Sequence, residues 1–175
     1  MDRKHHGGRD QALYAFARED VLTWEAELGR ALAPGSFGEN FTIEGLDVSD
    51  ALVGEQWRIG GDRVDAVVVE TTLPRTPCGT FATWMGEPRW IGRFTANGKV
   101  GTYLRVLTEG TVRAGDPVEV VHQPAHGITI GQLFRRLDPS AAQALVDARA
   151  AGEVELADKT LRKATRTSRS RASLA

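Results

Sequence analysis

Hydrophobic residues fall at two different spacings along this chain. Up to about residue 124 they alternate in short runs between glycine-rich corners, and after Gly127 they recur three and four positions apart. Alternation marks strands, because successive side chains point to opposite faces, and the longer period marks helices. Gln11-Ala12-Leu13-Tyr14-Ala15-Phe16 reads as a strand with its aromatics on one face. Gln56–Ile59, Val64–Glu70, Thr102–Thr108 and Val118–His122 read as four more. Val67-Val68-Val69 is a continuous apolar run, the sign of a strand buried on both faces. Gly60-Gly61 supplies the corner that leads into it.

One helix interrupts these strands. Arg18–Leu28 places Val21, Trp24 and Leu28 on one side, Glu19 and Asp20 at the positive end of the dipole, and Gly29 just past the end. Pro34 to Asn40 follows as a loop. Beyond Gly127 three helices are expected. Thr129 caps the first, whose Ile130, Leu133, Phe134 and Leu137 share a face. Asp138-Pro139 opens the second and Gly152 closes it. The third runs from Glu153 to Thr165 with Ala157, Leu161 and Ala164 on one side. From Arg162 onward the chain holds five cations and no acid, a composition that predicts a frayed, solvated end.

Composition narrows the class. With 175 residues the chain makes one domain with an appendage, and 19 glycines between short alternating runs suit a barrel or sandwich with tight corners. A net charge of −1 and a pI of about 6.4 carry no footprint for nucleic acid or a membrane surface. No apolar run has the length to span a bilayer, and Met1 to His6 leads into Gly-Gly without the apolar stretch of a secretory signal. One cysteine and no targeting segment point to a reducing, cytoplasmic location.

That cysteine, Cys78, lies in Leu73-Pro74-Arg75-Thr76-Pro77-Cys78-Gly79, a stiff loop at a strand end. A single thiol forms no internal disulfide, so its uses reduce to small hydrophobe, nucleophile or metal ligand. A nearby cation such as Arg75 favours the thiolate, the form that attacks or ligates. Three further segments carry polar or glycine-rich patterns. In His5-His6-Gly7-Gly8 adjacent histidines point to different sides, so they are a poor pair for one metal. One of them, with Gly7 and Gly8 allowing close backbone approach, can hold an anionic or heteroaromatic ligand, or both are surface histidines. Gly35-Ser36-Phe37-Gly38-Glu39-Asn40 either bends backbone amides around a ligand, with Glu39 or Asn40 reading its edge, or is a structured turn. In Tyr103-Leu104-Arg105, Arg105 can reach a phosphate or form a salt bridge on a surface strand. A phosphate-binding P-loop, a dinucleotide fingerprint, Cys-x-x-Cys, His-x-x-x-His and a Gly-x-Ser-x-Gly elbow are all absent.

Taken in order, His6-Gly7-Gly8, Pro34 to Thr42, Gly45-Leu46, Pro74-Arg75-Thr76-Pro77-Cys78, Gly101 to Leu107, Gly110 and Arg113-Ala114-Gly115-Asp116 resemble the MOSC family, named for the C-terminal domain of molybdenum-cofactor sulfurase. The similarity is to the stand-alone bacterial branch that resembles 6-hydroxylaminopurine reductase. It implies a mainly β fold, a MOSC-like β-barrel over residues 1–124, a three-helix extension over 125–165 and a basic flexible tail over 166–175. It also implies that the molybdenum cofactor (molybdopterin) binds, with Cys78 as the thiolate ligand to the metal and the catalytic residue. His6, Gly7, Gly8, Phe37, Gly38, Glu39, Asn40, Arg75 and Arg105 are the residues expected to hold the cofactor. Within that frame Arg75 or Arg105 would neutralise its phosphate, the glycine-rich loops would accept the flat pterin, and Asn40 would bond a pterin edge.

The resemblance further implies reduction of N-hydroxylated bases or related compounds. Electrons would come from a separate reductase carrying flavin or iron–sulfur, since no motif here binds such a group. A non-catalytic cofactor carrier or sulfur-transfer module using Cys78 is the second reading, and an interaction module docking through the basic tail is a third. Two departures from the family pattern stand out. Relatives carry more residues before His-Gly-Gly, so a shortened barrel edge is expected. They often place an aromatic where this chain has Gly79, so a more open pocket is expected.

Overall fold

Strand β1 (Leu13–Ala17) is buried on both faces and organises everything around it. Tyr14 and Phe16 turn into a layer of aromatic side chains, while Ala15 and Ala17 face the sheet's hollow side with Trp57, Ile59, Val69 and Leu104. The structure is a computed structural model that describes residues 7–169; His6 and the last six residues of the expected tail lie outside the described residues.

The other strands are β2 (Phe41–Ile43), β3 (Gln56–Ile59), β4 (Val67–Pro74), β5 (Thr102–Thr108) and β6 (Val118–His122). They form one curled six-stranded sheet, a half-barrel, in the order β2-β1-β5-β4-β3-β6. Only β1 and β2 run parallel; every other pairing is antiparallel. The edge strands β2 and β6 do not pair with each other among the described residues. A cavity of about 690 Å³ lies between Phe41–Ile43 on one side and Val112–Val118 on the other.

Helix α1 (Arg18–Leu28) has the expected bounds and ends on Gly29 at φ 65°, whose N–H closes on the Glu25 carbonyl. Two further helices, α2 (Gly79–Met85) and α3 (Trp90–Asn97), occupy a stretch the periodicity did not assign. Each buries one i, i+4 pair, Phe81 with Met85 and Trp90 with Phe94, and these join Phe16, Trp24 and Phe37 in the aromatic layer. Phe16 stacks on Phe37 at 4.3 Å, and Trp24 lies 4.6 Å from Trp90. Burying each of these rings stabilises the fold by about 2–3 kcal/mol.

The helical extension follows its caps. Thr129 and Gln132 form a reciprocal capping box at α4 (Ile130–Arg135), and Asp138 caps α5 (Pro139–Ala150) through Ser140 and Ala141. Helix α6 spans Asp158–Arg169, so it starts five residues later than the spacing predicts and runs four further. Arg162 to Arg169 is therefore helical, not frayed. Burial of Thr160 and Ala164, and the bond from Lys163 Nζ to the Leu133 carbonyl, hold it. No helix among the described residues is long and apolar enough to cross a membrane.

Candidate functional site

Cys78 sits between the end of β4 and the start of α2, in extended backbone at φ −132°, ψ 171°. Its thiol is half-buried and opens on a cleft of about 660 Å³. Three segments build the walls: Gly7, Gln11, Leu13 and Tyr14 from the start of the described chain; Gly35, Gly38 and Asn40 from the loop after α1; and Arg75, Cys78, Thr80, Phe81 and Trp84 with Tyr103 of β5.

Arg75 is fixed by three contacts. Nη1 donates to the Phe37 carbonyl at 2.7 Å, and the guanidinium carbon lies 4.2 Å from the Phe81 ring centroid and 4.9 Å from that of Tyr14. One of its five N–H donors is engaged, leaving a held cation with donors for an anion. The approach is close: a Cβ at Gly38, where φ is +73°, would come 3.3 Å from Nη1. Glycine is needed there on both counts.

The loop itself is set by Glu39. Its carboxylate accepts from the Gly35 N–H at 2.8 Å, the Phe37 N–H at 3.0 Å and the Thr42 hydroxyl at 3.0 Å. Asn40 is laced to β1, its Oδ1 accepting from the Tyr14 N–H and its own N–H donating to the Tyr14 carbonyl, both at 2.8 Å. The Asn40 amide nitrogen is left as a donor at the cleft wall.

Two tyrosines line the cleft with different consequences. The fully buried Tyr14 hydroxyl donates to the Val100 carbonyl at 2.9 Å, and burial pushes its pKa well above the ordinary value, with Arg75 opposing. Tyr103 is only partly buried and stands 5.3 Å from Tyr14, ring to ring. Burial raises its pKa too, with Arg75 lowering it and Cys78 adding to the rise. Both phenols are protonated at neutral pH, and of the two only Tyr103 has a hydroxyl without a hydrogen-bond partner among the described residues.

Of the expected binding residues, Gly7, Gly38, Asn40 and Arg75 converge with Cys78 on one cleft. Gly8, at φ 95°, stands beside it as the turn into the short 3-10 segment Arg9–Gln11. Three expectations need correction. Phe37 is fully buried in the aromatic layer and contributes its carbonyl, not its ring. Glu39 reads no ligand edge, because both its oxygens are taken by its own loop.

Arg105 does not reach the cleft at all. A register shift in β4 between Thr71 and Leu73 sets Tyr103 opposite Leu73 and Arg105 opposite Glu70, and the fully buried Arg105 faces the extension. It pairs there with Asp10 at 3.0 Å, Glu70 at 3.5 Å and Glu155 at 2.6 Å, and donates from Nη2 to the Glu155 carbonyl at 3.2 Å. The Glu155 carboxylate contact is an ion pair by distance that lacks hydrogen-bond alignment, so Nη1 has no aligned acceptor. Sequence reasoning missed Tyr14, Tyr103, Thr80, Phe81 and Trp84. For the last three the available signal was the i, i+4 spacing of Phe81 with Met85 and of Thr80 with Trp84.

The residues fit a metal centre that brings most of its own ligands. Among the described residues no group of three or more His, Cys, Asp or Glu side chains could hold a bare ion. One soft thiol beside a held cation and a glycine-walled slot suits a pterin-borne, high-valent metal.

Known proteins share this arrangement of chain. The sequence is 33% identical over 129 residues to the uncharacterized protein YflK of Bacillus subtilis (strain 168), a match that covers 74% of this chain and 56% of that protein. It is 33% identical over 125 residues to YiiM of Escherichia coli (strain K12), covering 69% of this chain and 53% of that one. A 27% match over 124 residues to a protein named reductase from Gibberella moniliformis covers 68% of this chain and 21% of that protein. The chain thus spans little more than half the length of the two bacterial relatives. Among solved structures, YiiM from Geobacillus stearothermophilus superposes with a TM-score of 0.76 at 26% identity, over 92% of this chain and 80% of that one. YiiM from Escherichia coli gives 0.73 at 25%, over 91% and 78%. The MOSC domain is matched over residues 2–119, and the chain belongs to the MOSC domain family.

Proposed function

We propose that this protein binds the molybdenum cofactor and reduces N-hydroxylated bases or related N-oxygenated compounds, with electrons from a separate reductase. The observation that carries the reading is the thiol of Cys78 opening, beside the held cation of Arg75, on a slot walled by Gly7, Gly35 and Gly38. The family match and the relative named reductase support it.

Cys78 would ligate the metal, Arg75 would neutralise an anionic group of the cofactor, and the Asn40 amide would bond the pterin edge. When bound, the cofactor supplies the two-electron redox chemistry. In the overall reaction R–NH–OH gains two electrons and two protons, the N–O bond breaks, and R–NH2 and water leave. Protons must reach the departing oxygen. Tyr103 Oη, protonated at neutral pH and in the cleft with Cys78, would hold one there.

Anaerobic purification of wild type and Cys78→Ser, with molybdenum and pterin quantified, tests the reading. Wild type should carry both and the variant should lose the metal. Equal metal in the two proteins removes Cys78 from the site.

A further inference from the structure

Helix α2 presents two i, i+4 pairs on adjacent faces. Phe81 and Met85 turn into the aromatic layer, while Thr80 and Trp84 line the cleft. The second pair contains an anomaly. Of the four tryptophans in the chain, Trp24, Trp57 and Trp90 are at most 1% exposed, whereas Trp84 is 71% exposed.

This indole fills no core, yet it is anchored. Its Nε1 donates to the Ser36 carbonyl at 3.0 Å. Ser36 lies between Gly35 and Phe37, whose N–H groups are both held by Glu39, so the anchor point is itself fixed. The bond ties α2 to the glycine loop across the cleft and leaves the faces of the ring in solvent. Along the helix, Trp84 stands roughly 9 Å from Cys78.

A large apolar ring held at the mouth of a cleft, with its polar atom already satisfied, is suited to stacking and to little else. Its counterpart must be flat, and every heteroaromatic base offers such a face. We infer that Trp84 is the specificity-determining surface of the cleft, stacking the planar ring of an N-hydroxylated base whose reacting group points toward Cys78. The inference rests on the function proposed above. It adds that recognition of the ring and recognition of the N–O group reside on different residues, so planar substrates are favoured over aliphatic ones.

Calorimetry and tryptophan fluorescence on the protein as purified from cells test this, with 6-hydroxylaminopurine and acetohydroxamic acid as the planar and aliphatic probes. Trp84 is exposed, so replacing it leaves the core intact. The purine should quench the wild-type signal saturably, since one exposed indole reports at this site. Trp84→Ala should weaken purine binding about tenfold, and Trp84→Phe, which keeps a ring, by no more than about threefold. Acetohydroxamic acid should bind all three proteins alike. An unchanged purine Kd in Trp84→Ala would overturn the role of Trp84 and leave the proposed function standing. Absence of purine binding to wild type would overturn both.

Discussion

The guanidinium of Arg75 lies 4.2 Å from the ring centroid of Phe81, and that contact joins the cleft to the aromatic layer. The cation that faces a ligand is thereby a packing element as well. Lysine would keep the charge and lose the planar stacking on Phe81 and Tyr14. Arg75→Lys should lose about 1–2 kcal/mol of stability, seen as a Tm several degrees lower, and should also retain less pterin and molybdenum per protein.

Arg105 should behave in the opposite way. None of its ion partners lines the cleft, and removing it strands the mostly buried Glu70 together with Asp10 and Glu155. Arg105→Met should cost about 3–5 kcal/mol in chemical denaturation, while the folded fraction keeps its cofactor. A stable variant devoid of cofactor would return Arg105 to the binding site.

The two tyrosines separate stability from turnover. Tyr14→Phe leaves the Val100 carbonyl buried without its donor and should cost about 1–3 kcal/mol, with kcat per folded molecule close to wild type. Tyr103→Phe should melt like wild type and lower kcat about 10²-fold with substrate Kd unchanged. Equal kcat in Tyr103→Phe would remove it as the proton source.

His126 makes stability depend on pH. Its Nε2 contacts the Val53 carbonyl and its Nδ1 the Ile128 N–H, each at 2.9 Å, which fixes a neutral ring with the proton on Nε2. Burial holds its pKa below 6.5, although Val53 and Glu153 pull the other way. The folded state therefore binds this proton less tightly than the unfolded state. The stabilisation is full above about pH 6.5, falls as pH drops toward the folded pKa and levels off below it. The urea midpoint of wild type should decline between pH 7.5 and 5.5, and His126→Gln should flatten that decline.

Gly79 faces open space: a Cβ at this position would meet nothing within 4 Å, and the backbone is not left-handed. Gly79→Tyr should change stability by less than about 0.5 kcal/mol. It should raise KM for bulky substrates more than for small ones, because the new ring narrows the entrance beside Cys78.

Strands β3, β5 and β6 and helix α1 were legible in the sequence to the residue, because each carries a sustained period bounded by turn residues. Helices α2 and α3 were not. Each has only one buried apolar i, i+4 pair, and Phe81-Met85 or Trp90-Phe94 alone cannot be told from a loop. At the site, Cys78, Arg75, Gly38 and Asn40 were visible because the chemistry of each shows in its immediate neighbours. The place of Arg105 was hidden. Its partners Asp10 and Glu155 are distant in sequence, and only the tertiary fold brings them to the buried guanidinium.

The ion cluster at Arg105 also sets an order of events. Asp10 belongs to the segment that walls the cleft at Gly7 and Gln11, and Glu155 shortly precedes the last helix. On the ribosome Asp10 is made early, its cation Arg105 follows, and Glu155, a further carboxylate on Arg105, emerges 50 residues later. Burial of Arg105 should therefore be complete only after residue 155 has emerged, so a nascent chain stalled before that point should show weaker protection of β5 from hydrogen exchange.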